Sequence, residues 1–191
     1  AQPQEKLTLL NDQEVELSED VMLIADDKKA LAIAGIMGGA SSAVSDETTE
    51  IFLESAFFAP LAIVGRARRF GLHTDASQRY ERGVDFELPM IAMNRASKLI
   101  AELAGGDFGP ITVAENTALL PQRHAIELKQ AQVDQLLGYQ VESDFITDAL
   151  QRLGCAVTVK AQGEWTVVPP SHRYDMEIYQ DLIEEVARIH G

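Results

Sequence analysis

Five acids are the side chains whose types and spacing could do chemistry. Four of them, Asp175, Asp181, Glu184 and Glu185, crowd the last stretch of the chain. On a helix, Asp181 shares a face with Glu184 at i+3 or Glu185 at i+4. Hard oxygen donors in a mutually repelling cluster suit Mg²⁺, which takes few carboxylates and keeps waters. The plainer reading, favoured by the pattern alone, is acids gathered at a helix N-terminus. The fifth acid is Glu54, in the run IFLESAFF at 51–58. Read as a strand, this run puts Phe52, Glu54, Ala56 and Phe58 on one face. A carboxylate in an apolar wall is costly unless paired. It could accept a hydrogen bond from a phenol or amine and so separate it from a plain ring, because a site built to bond a hydroxyl rejects the analogue lacking it. A satisfied structural acid is the competing reading.

Two further stretches could supply walls to such a site. In LAIAGIMGG at 31–39, Gly35, Gly38 and Gly39 remove side chains where the backbone bends or something approaches closely. No Lys-Ser/Thr follows, so this is not a phosphate loop; spacing alone favours tight packing over a ligand pocket. GLHTDASQRYERGVD at 71–85 reads either as helix caps and surface ion pairs, each worth at most about 1 kcal/mol, or as a pocket wall carrying Thr74 and Ala76. Arg66, Arg68, Arg69, Arg79 and Arg82 nearby offer either a local phosphate-contacting surface or solvated helix faces. No Ser-His-Asp or Cys-His arrangement is evident. His73, His124, His172 and His190 are scattered without an HExxH, which argues against zinc. Cys155 reads as core filler.

The elements that must position these groups follow from the pattern. Residues 7–10 and 14–17 flank the turn Asn11-Asp12, and 21–25 and 30–34 flank 26–29, giving two hairpins. A polar loop at 41–50 leads to the strand 51–58. A helix opens at Pro60 and stops at Gly71; Thr74 or Asp75 caps the next, which ends at Gly83. Asp85 or Glu87 starts a longer helix through Leu103, and 111–113 reads as a short strand. After a boundary at 115–123 come a strand (125–128), helices over 131–137 and from Ser143 to Gly154, a hairpin (156–160 with 164–168) and a helix over 177–189. Two short helices followed by a hairpin suggest a winged helix-turn-helix. Its second helix carries Asp144, Asp148 and a single Arg152, which argues against DNA and for a structural or docking module. The 191 residues carry a net charge of -14, 46% apolar residues and one cysteine. Those values fit a protein with a real core in a reducing compartment, and no apolar run reaches membrane-spanning length. The start without Met and the end inside a helical run suggest a piece of a longer protein.

Taken together, AIAGIMGG at 32–39 with FLES at 52–55, GLHTDASQRYERGVD at 71–85 and PPSHRYDMEIYQDLIEEVARIHG at 169–191 resemble the β subunit of bacterial phenylalanyl-tRNA synthetases over essentially the whole chain. The resemblance implies an α+β fold. A mixed or antiparallel sheet with helices, the B3/B4 editing domain, would occupy 1–115, and a small winged-helix-like α+β domain, B5, would occupy 122–191. It implies an aminoacyl-tRNA synthetase, part of phenylalanine–tRNA ligase, whose B3/B4 pocket hydrolyses tyrosine wrongly attached to the phenylalanine tRNA. In that pocket Gly38, with Gly35 beside it, would clear space for the ring. Glu54 would meet the tyrosine hydroxyl, and Thr74 and Ala76 would form the opposing wall. The hydrolysis resembles ester cleavage by a positioned water without a protein nucleophile. Asp175, Asp181, Glu184 and Glu185 would bind Mg²⁺ near the α subunit, in an α2β2 enzyme of the cytoplasm. That enzyme uses ATP, which this piece does not bind, and takes the acceptor end of the tRNA. Other pocket residues, a histidine among them, are expected upstream of Ala1, so this piece alone is expected to edit poorly. His172 and His190 stand where the family carries aromatic residues. A free-standing winged-helix docking module is the alternative.

Overall fold

The computed structural model describes Ala1 and residues 4–191. Two compact units emerge, one of residues 1–84 with 88–109, the other of residues 110–191 with 85–87.

The first unit opens with an antiparallel hairpin of β1 (Lys6–Thr8) and β2 (Glu14–Glu16), turned through Asp12 at a φ of 62°. A second sheet has the order β3 (Leu23–Ala25), β4 (Ala30–Ile33), β5 (Met37–Gly38), all antiparallel. Asp26 builds its first turn: Oδ1 accepts from the backbone N–H groups of Lys28 and Lys29, both at 2.8 Å. Both expected hairpins are present. The glycine corner turns out to be a third one, β4–β5, pairing Ile33 with Met37 and Ala32 with Gly38 around Gly35 at a φ of 67°. Gly39 N–H donates to Leu31 O at 2.7 Å, and Leu10 N–H to Gly38 O at 3.0 Å, which stitches the hairpins together. A Cβ on Gly39 would lie 2.5 Å from Leu31 O, so the close approach requires glycine. Leu7, Leu9, Val15, Leu17, Val21, Ile33, Ile36 and Ile63 form the core beneath.

Four expectations fail over residues 51–113. Residues 51–59 form no strand, because no neighbouring strand pairs with them, and a lone strand leaves its backbone groups unmet. Without a ladder the alternation is not enforced, and Phe52 is 91% exposed. The helix expected over 60–71 is broken at Gly65, with a φ of 78°, into the single turns α1 (Pro60–Ile63) and α2 (Arg66–Arg69). Residues 111–113 are irregular, and the long helix α4 (Pro89–Ala104) starts at Pro89 rather than Asp85 or Glu87, since proline is suited to the first helical position. None of its 16 residues is buried. The short α3 (Asp75–Tyr80) is capped by Thr74 as expected.

The second unit is an antiparallel sheet of order β6 (Ile126–Lys129), β8 (Glu164–Val168), β7 (Ala156–Ala161), with α5 (Gln130–Leu137), α6 (Ser143–Arg152) and α7 (Tyr179–His190). This is the winged-helix-like α+β arrangement read from the pattern. Ser143 is the first helical residue rather than the cap, since its hydroxyl donates to Gln130 Oε1 at 2.9 Å. Gln130 also donates to Asp134 Oδ1 and Val141 O, each at 2.8 Å, fastening the turn between α5 and α6. Trp165, fully buried, donates its indole N–H to Thr147 Oγ1 at 2.9 Å. Leu128, Val133, Ile146, Leu150, Val167, Leu182 and Ile183 surround it, and Cys155 lies in the same core. Among the described residues no helix is long and apolar enough to cross a membrane.

Gly39→Ala is expected to destabilise the first unit by about 1–3 kcal/mol, the cost of overpacking. Hydrogen exchange at the β4 amides should accelerate accordingly. Gly109→Ala, where a Cβ meets nothing within 4 Å, should leave those rates unchanged.

Candidate functional site

A cavity of about 340 Å³ opens in the first unit. Its floor is the β4–β5 hairpin, with Ile33, Gly35, Ile36, Met37 and Gly38; one wall is Glu54, Ala56 and Phe58; the other is Ala76 and Tyr80 of α3. This size falls in the range of small-ligand sites. Four of the five residues singled out from sequence, Gly35, Gly38, Glu54 and Ala76, therefore line one cavity. Thr74 is not among its lining residues. Its hydroxyl accepts from Ser77 N–H at 3.0 Å and donates to Ile36 O at 2.8 Å, so it caps α3 and fastens that helix to the hairpin tip. Ser77 completes the capping box, its Oγ accepting from Thr74 N–H at 3.1 Å.

The glycines act differently. A Cβ on Gly35 would lie 3.1 Å from Phe58, 3.2 Å from Ile63 and 3.2 Å from the Tyr80 ring, so Gly35 admits the aromatic wall. A Cβ on Gly38 would meet the tip of Leu10 at 3.0 Å, a flexible neighbour that can yield. Glu54 stands at the rim, open to water rather than buried as its place in an apolar run suggests. The wall still crowds its carboxyl, and this desolvation pushes its pKa above the ordinary value. Sequence reasoning overlooked Tyr80 and Phe58 as lining residues, although Ala76 and Tyr80 stand at i and i+4 on one helix face, a spacing visible in the sequence.

The arginines singled out from the sequence in this unit do not line the cavity and are mostly engaged elsewhere. Arg69 holds Asp20 through two 2.8 Å bonds, which keeps the Asp20 carboxyl well below its usual range. Arg66 donates to Leu61 O and Val64 O, and Arg82 to Gln78 O.

The four acids of the second unit are divided among different duties. Arg173 donates to both oxygens of Asp175, at 2.9 and 2.7 Å, and to Glu185 Oε1 at 3.0 Å. Arg188 donates to Glu185 Oε2. Bonds from Arg188 and then Arg173 hold the Glu185 carboxyl below its usual range, and Arg173 does the same to Asp175. Asp181 Oδ2 accepts from Glu177 and Ile178 N–H at 2.8 and 2.9 Å, capping α7. Glu184 is exposed. Among the described residues no three His, Cys, Asp or Glu side chains converge as a metal cage. The donor set has the oxygen chemistry Mg²⁺ prefers, but two of the four carboxylates here are neutralised by arginine.

Residues 1–105 match the B3/4 domain family, and residues 126–191 match the tRNA synthetase B5 domain. The chain is 78% identical over all of its 191 residues to the phenylalanine–tRNA ligase beta subunit of Acinetobacter baylyi, 54% to that of Psychrobacter arcticus and 52% to that of Idiomarina loihiensis. It spans 24% of the length of each.

Two outcomes test this geometry. With its value raised above 4.5, folded Glu54 holds its proton more tightly than in the unfolded chain. The associated stability is present at low pH and lost as pH rises through the raised value. Relative to wild type, the melting temperature of Glu54→Gln should therefore be little changed near pH ~4 and higher near pH ~7. Arg173→Ala removes one of the two arginine partners of Glu185, 8% exposed, leaving Arg188, and strips Asp175 of its own. It should cost about 2–3 kcal/mol, less than a fully buried pair because Asp175 stays solvated. Urea unfolding followed by the fluorescence of Trp165, the single tryptophan, reads this unit alone.

Proposed function

Because the chain belongs to the B3/4 domain family and runs on into a tRNA synthetase B5 domain, we propose that it is the editing and B5 portion of a phenylalanine–tRNA ligase β subunit. Its cavity would clear tyrosine wrongly attached to the phenylalanine tRNA. The observation that carries this reading is the convergence of Gly35, Gly38, Glu54 and Ala76 on one cavity with an aromatic wall.

The chemistry follows from that wall. An aromatic side chain enters between the hairpin floor and α3, where Phe58 and Tyr80 meet it with apolar surface. The para hydroxyl of tyrosine reaches the rim and donates to the Glu54 carboxylate. Phenylalanine brings no donor and leaves the carboxylate to water at the rim, so the bond that only tyrosine makes separates the two. Among the described lining residues no side chain is a nucleophile hydrogen-bonded to a base. The ester would be cleaved by a water that the bound substrate places against the carbonyl, with positioning as the chain's contribution.

In the full enzyme the chain would extend over an editing domain at 1–115 and B5 at 122–191. It would act in the cytoplasm with an α subunit, in an α2β2 assembly that charges the tRNA with phenylalanine using ATP and Mg²⁺ and presents the acceptor end to this cavity. Of Asp175, Asp181, Glu184 and Glu185, the exposed Glu184 and the α7-capping Asp181 lie one turn apart, neither bonded to an arginine, although the charge of Arg188 acts on Glu184. They would be the first ligands of a Mg²⁺ whose remaining ligands come from water and the α subunit. When bound, the ion would supply charge neutralisation at that end of α7.

In the full αβ enzyme, Glu54→Ala should lower the preference for deacylating tyrosyl- over phenylalanyl-tRNA by about ten- to a hundredfold, the worth of a hydrogen bond to a charged group. Unchanged hydrolysis of both charged tRNAs would refute the editing reading.

A further inference from the structure

We propose that Tyr80 is the positioning residue for Glu54, holding the irregular 54–58 segment so that the carboxylate faces the cavity. The inference rests on the editing reading above. Among the described residues no strand pairs with the segment that carries Glu54, so no sheet sets where its side chain points. Side chains anchor it instead. The Tyr80 hydroxyl donates to Ala56 O at 3.1 Å, two residues beyond Glu54. The Tyr80 ring packs on Phe58 with centroids 5.1 Å apart and planes at 50°. At the other side of Ala56, Ser55 Oγ donates to Pro89 O at 2.8 Å. Tyr80 reaches the segment from α3, whose start is fastened to the hairpin by Thr74, so the carboxylate and the cavity floor are referred to one frame. Gly35 makes the arrangement possible, since a Cβ there would press on both rings.

The phenol suits the task. Burial and the nearby Glu54 charge push it above its ordinary value, so it stays protonated and keeps donating across the working pH range. A phenylalanine at this position keeps the ring contact with Phe58 and loses only the bond to the Ala56 carbonyl.

The test uses the full αβ enzyme with Tyr80→Phe, Glu54→Ala and the double variant. Deacylation of tyrosyl- and phenylalanyl-tRNA is measured together with hydrogen exchange of the α3 amides. Tyr80→Phe should lower the tyrosine preference by about three- to tenfold, mainly through KM, as expected for one neutral hydrogen bond. The exchange of α3 should not change. In the Glu54→Ala background Tyr80→Phe should cause no further loss, because both changes act through the same carboxylate. Full selectivity in Tyr80→Phe, or an equal loss in both backgrounds, overturns the proposal while leaving the editing reading intact. If Glu54→Ala itself leaves selectivity unchanged, the editing reading fails and the proposal fails with it.

Discussion

One hydroxyl organises the first unit. Thr74 Oγ1 accepts from Ser77 N–H and donates to Ile36 O, which makes the start of α3 and the tip of the β4–β5 hairpin a single corner. A helix of six residues has little stability of its own, so its direction depends on that cap and on what it packs against. From the cap onward the geometry follows. Ala76 and Tyr80, one turn apart, reach the cavity, and Tyr80 carries the segment that bears Glu54. Gly35 is the complement of this corner, because the space its missing side chain leaves is filled by Phe58, Ile63 and Tyr80.

The second unit meets the same need with charge. Arg173 lies between Asp175, on the chain leading into α7, and Glu185, on α7 itself, and so ties that connection to the helix. Gln130 does comparable work for α5 and α6 with neutral bonds, while Trp165 fills the space between sheet and helices. The arginine pairing bears on how a cation could be held here. A divalent ion at Asp175 or Glu185 would compete with a guanidinium bonded in place, whereas Glu184 is exposed and feels Arg188 only through its charge.

Much of this was legible locally. Turn-forming residues announced the hairpins: Asn11-Asp12, Asp26, and Gly163, which has a φ of 73°. Pro60, Thr74 and Gly138 marked helix ends for reasons that need no distant partner, such as a fixed φ, a side-chain acceptor or access to the left-handed region. The winged-helix-like order of the second unit followed from such punctuation. The run at 51–58 misled because apolar alternation states what a strand would look like and not whether a neighbour exists to pair with it. The stretch 60–71 misled because Gly65 sits inside a helical pattern as an ordinary weak residue until its left-handed φ is known.

The sequence by itself determined the local elements, the family they belong to and the residue types of the candidate site, since caps, turns and motifs depend on neighbours a few positions apart. Tertiary structure decided where each group sits and what it touches. It brought Gly35, Gly38, Glu54 and Ala76, spread over some forty positions, to one cavity. It turned Thr74 from a wall into a fastener, moved Glu54 from an apolar face to a wet rim, and gave two of the four terminal acids to arginines. These outcomes depend on which atoms lie within about 3 Å across the chain, the range over which hydrogen bonds and ion pairs act. Spacing along the sequence does not carry that information.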